Sequence, residues 1–229
     1  MINIHYRLNR FVIPFFIISV FPWLAACESL PFADSGPDSC DDLGFLFADD
    51  FEGEKTCGWV EYNRSGAVAA IDNGVMSIST SSPGEIWWTN PGRNFDDVLI
   101  DVKATQVSGP SDNAYGVICR YQDEENFYIF LISGDGYYAI GKYQSGEDRI
   151  TYLTEDGQYQ SSEFINQDQA SNQIEVSCIG NQLSLSVNGM PLMAVTDTEF
   201  ATGDIGLAAS SLQQGTVEIA FDEFKVLGP

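Results

Sequence analysis

Short apolar runs separated by Gly, Asn, Asp or Pro, with no convincing 3.6-residue period among them, constrain this chain more than any other feature. From Phe45 onward "GVMSIST", "EIWWTN", "DVLIDVKATQV", "YGVICRY", "NFYIFLIS", "YYAIGKY", "RITYLT", "NQIEVSCI", "QLSLSVNG", "PLMAV" and "TVEIAFDEF" follow one another. Strands of this length and spacing predict an antiparallel sandwich or barrel. "LSLSV" alternates strictly, with Leu183, Leu185 and Val187 inward and the serines outward. Asn188-Gly189 then supplies the positive φ angles of a tight hairpin into "MPLMAV". Near the end, "VEIAFDEFKV" buries Val217, Ile219 and Phe221, then changes phase to Phe224 and Val226, which predicts a β-bulge at Asp222-Glu223. No internal repeat and no second composition interrupts residues 45–229, so they form one domain.

The first 26 residues stand apart. "MINIHYRLNR" carries Arg7 and Arg10 and no acid, "FVIPFFIISVF" is an apolar core of signal length, and "LAAC" ends at Cys27. A basic head, a short apolar run and small residues before a cut describe an export signal. The Cys after Leu-Ala-Ala resembles a bacterial lipobox, which implies cleavage before Cys27 and acylation of its thiol. Residues 27–44 are acidic and rich in Ser, Pro and Gly, and read as a tether. The expected setting is therefore an exported lipoprotein, held at the membrane by its N-terminal lipid alone.

Loss of the signal narrows the chemistry. His5 is the only histidine, so residues 27–229 contain none, which excludes His-based catalytic triads and His-ligated zinc. Eight Lys and Arg against 33 Asp and Glu leave a formal charge of −25 on that stretch. Such a surface repels phosphate backbones, so no nucleic-acid partner is expected. Cys40, Cys57, Cys119 and Cys178 remain, an even number that suits disulfides in an exported protein. Spacing suggests Cys40–Cys57 and Cys119–Cys178, although four cysteines permit three pairings.

The order of these segments resembles a known family. "LFADDF" with Trp59 soon after, "YGVICRY" leading to "NFYIFLISGDGYYAIGKY", "LSLSVNGMPLMAVTDTEFATGDIGLAA" and the closing "VEIAFDEFKV" are similar to the concanavalin A-like superfamily. Within it they look most like the laminin-G-like jelly rolls of bacterial surface proteins. The resemblance implies an all-β, two-sheet antiparallel jelly-roll sandwich over residues 45–229, often with carbohydrate handled on its concave side. It also implies a structural calcium between the terminal strands, held by Asp222 and oxygens near Asp50. Solvated acids at strand ends are the alternative there.

The stretch "YQDEENFYIFLISGDGYYAIGKY", residues 121–143, is dense in aromatic rings. If it forms a hairpin across "QDEEN", Cys119 faces Ile129 and Arg120 faces Tyr128. A disulfide at Cys119 turns that face to the core and leaves Arg120 and Tyr128 on the other, joined by Tyr137 or Tyr138. One reading is a covered sheet face with Arg120 paired diagonally to Glu175. The other is a sugar platform of Arg120, Tyr128 and Tyr138, with Trp87 or Trp88 reaching the exposed side. Asp123, Glu124 and Glu125 sit in a turn and are expected in water. The superfamily's glycanases carry E-x-D-x-x-E or E-x-D-x-E on one strand, and neither occurs here. The expectation is a non-catalytic module that binds a glycan or another surface ligand. The alternatives are a saccharide hydrolase using carboxylates only, resembling 3-keto-disaccharide hydrolases, and a purely structural envelope module.

Overall fold

The computed structural model describes Cys40, residues 44–53 and residues 57–229. The export signal, Cys27 and nearly all of the tether lie outside the described residues. Among the described residues no helix is long and apolar enough to cross a membrane.

Two antiparallel sheets make the fold. One holds β1 (Phe47–Asp49), β2 (Tyr62–Arg64), β3 (Ala67–Asp72), β4 (Val75–Thr80), β6 (Val98–Ser108), β12 (Ser171–Ile179), β13 (Gln182–Val187), β14 (Met190–Thr196) and β16 (Val217–Leu227). The other holds β5 (Ile86–Thr89), β7 (Asn113–Asp123), β8 (Asn126–Ile132), β9 (Tyr137–Tyr143), β10 (Thr151–Tyr152), β11 (Gln160–Ser161) and β15 (Asp204–Ser211). The nine-stranded sheet runs β14-β13-β12-β6-β16-β4-β3-β2, with β1 also on β16. The seven-stranded sheet runs β10-β9-β8-β7-β15-β5, with β11 also on β9. This is the expected jelly-roll sandwich.

The core follows from strand alternation. Ile174, Val176 and Cys178 of β12 and Leu183, Leu185 and Val187 of β13 face inward against Tyr115, Val117, Phe130 and Leu207 of the opposite sheet. Each such aliphatic side chain contributes about 1.5–3 kcal/mol by leaving water. Cys119 of β7 bonds Cys178 of β12 and so ties the two sheets; Cys40 bonds Cys57. Both pairings are those that the spacing suggests. Asn188 and Gly189 take φ 55° and 75° in the β13–β14 turn. The register of β16 shifts between Asp222 and Lys225, with Glu223 at φ 53°, where the phase change predicts a bulge.

The β7–β8 register departs from expectation. Cys119 lies opposite Tyr128 and Ile118 opposite Ile129, then Asp123 pairs with Asn126 after a bulge. Arg120 sits in that bulge at φ 52°. A one-residue slip exchanges the faces of a strand. Tyr128 therefore joins Cys119 in the core and is fully buried. Arg120 is 2 % exposed. Its guanidinium donates to Phe200 O at 2.8 Å, Cys178 O at 3.3 Å and Asp97 Oδ1 at 3.2 Å. The diagonal partner is thus Asp97 rather than Glu175. Tyr138 also turns inward, opposite Ile132, while Tyr137 remains 43 % exposed.

Candidate functional site

The outward side of the seven-stranded sheet carries a second, smaller apolar cluster. Ala114, Ile118, Phe127, Ile129, Leu131 and Ala208 are buried there, with Trp88, Tyr121, Tyr143, Ile150 and Tyr159 packed over them. Its central positions are small because β15 places Ala208 opposite Gly116 of β7. At the far edge, a Cβ on Gly141 would lie 2.5 Å from Ile150 Cγ2. The absence of a side chain at Gly141 makes room there for Ile150, which packs on the cluster. The resulting cleft has a volume of about 840 Å³.

Aromatic rings run across this cleft. Trp88 and Phe127 have centroids 5.5 Å apart, Phe127 and Tyr143 5.7 Å, and Tyr121 lies 5.8 Å from Phe127 and 6.2 Å from Trp88. Adjacent residues of a strand point oppositely. Trp88 therefore faces the cleft cluster while Trp87 packs against the main core and only reaches the cleft's end. Tyr152 and Tyr159 form an edge-to-face pair at 5.0 Å beside Ile150. Burial raises the Tyr121 phenol; a hydrogen bond with Trp88 opposes this, and the carboxylates of Glu124, Asp123 and Asp204 add to it. Burial raises Tyr62 to about 12, offset in part by Arg64. These phenols are protonated at neutral pH and act as donors as well as acceptors.

The rim is charged. Glu85, Glu124, Glu125 and Asp148 contribute carboxylates, and Arg64 and Arg149 guanidiniums, all exposed. Asp123 ties its own hairpin by accepting from Asn126 Nδ2 at 2.7 Å and Glu125 N at 2.9 Å. Ser145 Oγ donates to Glu125 at 3.0 Å and Ser145 N to Asn126 at 3.1 Å, which fastens the far loop to this hairpin. The carboxylates of "DEE" are thus exposed turn acids, and two of them shape the rim.

The residues expected to bind ligand do not gather on the open face. Arg120, Tyr128 and Tyr138 lie on the core side of the sheet. Tyr128 donates to Asp197 at 2.5 Å and accepts from Phe200 N at 3.1 Å, and Lys142 reaches Asp197 at 2.9 Å. That network holds residues 197–200 against the end of the sandwich. The rings that do share the face, Tyr121, Phe127 and Tyr143, belong to the same aromatic stretch one step out of phase.

Asp50 directly follows β1 and Asp222 lies in β16, two strands that pair with Asp49 opposite Phe224. Asp50 Oδ1 accepts from Glu52 N at 3.1 Å. Asp222 accepts from Glu223 N at 2.8 Å and pairs with Lys103 at 3.3 Å. Among the described residues no three His, Cys, Asp or Glu side chains gather as a metal cage.

Comparison with known proteins agrees with this architecture. A family model described as the 3-keto-alpha-glucoside-1,2-lyase-like domain matches residues 47–227. Among solved structures, carbohydrate binding module CBM66 from Bacillus subtilis aligns with TM-score 0.58 at 14% identity, covering 75% of this chain and 96% of that one. A Bacteroides ovatus mixed-linkage glucan GH16 in complex with a G4G4G3G product gives 0.58 at 11%, covering 80% and 100%. A Bacillus licheniformis beta-glucanase gives 0.55 at 11%, covering 80% and 98%. At these identities the likeness is one of fold. No curated protein sequence matches the chain.

Proposed function

The chain belongs to the 3-keto-alpha-glucoside-1,2-lyase-like family, and from that premise we propose that it recognises a saccharide on the open face of its seven-stranded sheet without acting on it chemically. The observation that carries this reading is the set of half-buried rings of Trp88, Tyr121 and Tyr143 around buried Phe127 in a cleft of about 840 Å³. Flat rings offer apolar surface to the C–H faces of a pyranose, and the volume lies within the range typical of small-ligand sites. The fold shared with a carbohydrate binding module and with glucanases supports the same ligand class. In this reading the protein is exported and held at the membrane by a lipid on Cys27. Two disulfides support an oxidising compartment. Tryptophan fluorescence titration with gluco-oligosaccharides tests the binding. A saturable change that Trp88→Ala abolishes is expected, and no response from any of them refutes the reading.

The family match favours a second reading, cleavage of a 3-keto-glucoside. A ketone at C3 acidifies the C2 hydrogen, so a base can remove it as the C1–O bond breaks and the leaving oxygen takes a proton. This elimination needs no histidine, and the described residues contain none. Glu85, Glu124, Glu125 and Asp148 are the carboxylates at the rim available for such work. All four are exposed rather than held in the dry setting that tunes a catalytic acid, which favours binding as the primary reading. Incubation with a 3-keto-α-glucoside separates the two, because only the elimination releases a conjugated enone.

A further inference from the structure

Cations are scarce in this chain, and their placement is uneven. Among the described residues Lys103, Arg120, Lys142 and Lys225 pair with carboxylates at 3.3, 3.2, 2.9 and 3.4 Å. Arg93 stands over the Phe47 ring and interacts with Asp204. Arg64 and Arg149 make no ion pair among the described residues, although the chain holds 33 Asp and Glu. Both are exposed, and both line the cleft.

Arg64 is also held in place. Its guanidinium stands 5.1 Å from the centroid of the Tyr62 ring, a cation–π contact. The Trp87 ring, on the edge strand of the opposite sheet, lies 6.1 Å from Tyr62. Tyr62 Oη and Trp87 Nε1 are both buried without any hydrogen-bond partner. An indole N–H can only donate, a protonated phenol can donate, and a guanidinium offers five N–H groups. A buried polar group left unmatched loses the hydrogen bonds that water gave it, and a partner that restores them is favoured. Glu85, the carboxylate at this end, is exposed and unpaired with Arg64. One end of the cleft thus collects donors that nothing in the unliganded chain satisfies.

We propose that this end, between β2 and β5, is a subsite for the acidic group of a sugar, a carboxylate or sulfate ester, with Arg64 as the residue that selects it. The inference rests on the saccharide-binding reading and adds the class of sugar. A guanidinium fork matches the paired oxygens of either anion. Tyr62 and Trp87 reach the same group once the ligand parts their rings, because both polar atoms are closed to water in the free chain. The rim carboxylates and the chain's negative charge repel a polyanion but leave a single acidic sugar little hindered. Charge at a distance is screened beyond about 8 Å at physiological ionic strength, whereas a direct guanidinium contact is not. The ligand is therefore a largely neutral glycan bearing an isolated acidic residue.

Titration of the purified protein with D-glucose, D-glucuronate and D-glucose 6-sulfate at physiological salt tests this, with the Trp88→Ala, Arg64→Ala and Arg149→Ala variants alongside. At least one acidic sugar should bind about tenfold more tightly than glucose, the scale of one charge-assisted hydrogen bond. Which of the two does so identifies the anion. Arg64→Ala should erase that advantage and bring the three affinities together, while Trp88→Ala weakens all three. Equal affinities that Trp88→Ala still reduces overturn the acidic subsite and leave saccharide recognition standing. An advantage that survives Arg64→Ala, or that only Arg149→Ala removes, overturns the assignment to this end. No binding of any of the three in the unaltered protein overturns both readings.

Discussion

Arg120→Ala should unfold this protein more easily without touching its ligand site. The guanidinium is 2 % exposed and satisfies the carbonyls of Phe200 and Cys178, joining the seven-stranded sheet to a loop and to the opposite sheet. Hydrogen bonds from a charged donor contribute about 1.5–3 kcal/mol each, and the two carbonyls would be left without that partner. The Asp97 pair adds little, because its carboxylate is 39 % exposed and is screened by water. Truncation also uncovers buried methylenes at about 0.8 kcal/mol each. Against these losses, Arg120 Nε already lacks a partner, so its removal returns about 1 kcal/mol. The net is a destabilisation of about 4–6 kcal/mol. With a urea slope of about 2 kcal/mol/M, the midpoint should fall by roughly 2–3 M in equilibrium unfolding with disulfides intact. Saccharide affinity of the folded fraction should stay unchanged. A midpoint that hardly moves, together with lost affinity, would place Arg120 on the open face and refute the bulged register.

Trp88→Ala should lower saccharide affinity of the folded protein by about tenfold or more through lost stacking, with a fall in Tm because Phe127 is uncovered, as read by calorimetric titration and thermal melting. Burial alone would raise the Asp197 carboxyl, but hydrogen bonds from Lys142, Tyr128 and Glu199 N outweigh it and hold it below its ordinary value. A carboxyl depressed in the folded state adds stability above its unfolded value and loses it as pH falls through the folded one. Stability should therefore drop below about pH 4, and Asp197→Asn should flatten that limb of a ΔG-versus-pH curve. Removing the Cys119–Cys178 bridge, which spans 59 residues, should cost about 4 kcal/mol by chain entropy, measured by urea unfolding of the double alanine variant. If calcium sits between β1 and β16 at Asp50 and Asp222, EGTA should lower Tm in a thermal melt, and an unchanged Tm removes that site.

Alternation along the chain was enough for the sandwich, because each short run declares a buried face when the other face is polar. Leu183, Leu185 and Val187 against serines, the Asn188-Gly189 turn and the phase change at Asp222-Glu223 are of this kind, and all three stand in the structure. Cysteine spacing pointed to the observed pairing for a similar local reason. In β7 and β8 that signal fails: Ile118 and Ile129 are as buried on the outer side as Cys119 and Tyr128 are on the inner. A strand apolar on both faces carries no mark of its own phase, so the bulge at Arg120 had nothing to announce it. Only contacts with β15, β12 and the loop at Phe200 chose the register, and with it which rings meet solvent. The cleft itself joins residues 60–64, 84–90, 121–127 and 143–159, segments that only the folded sheets bring to one place.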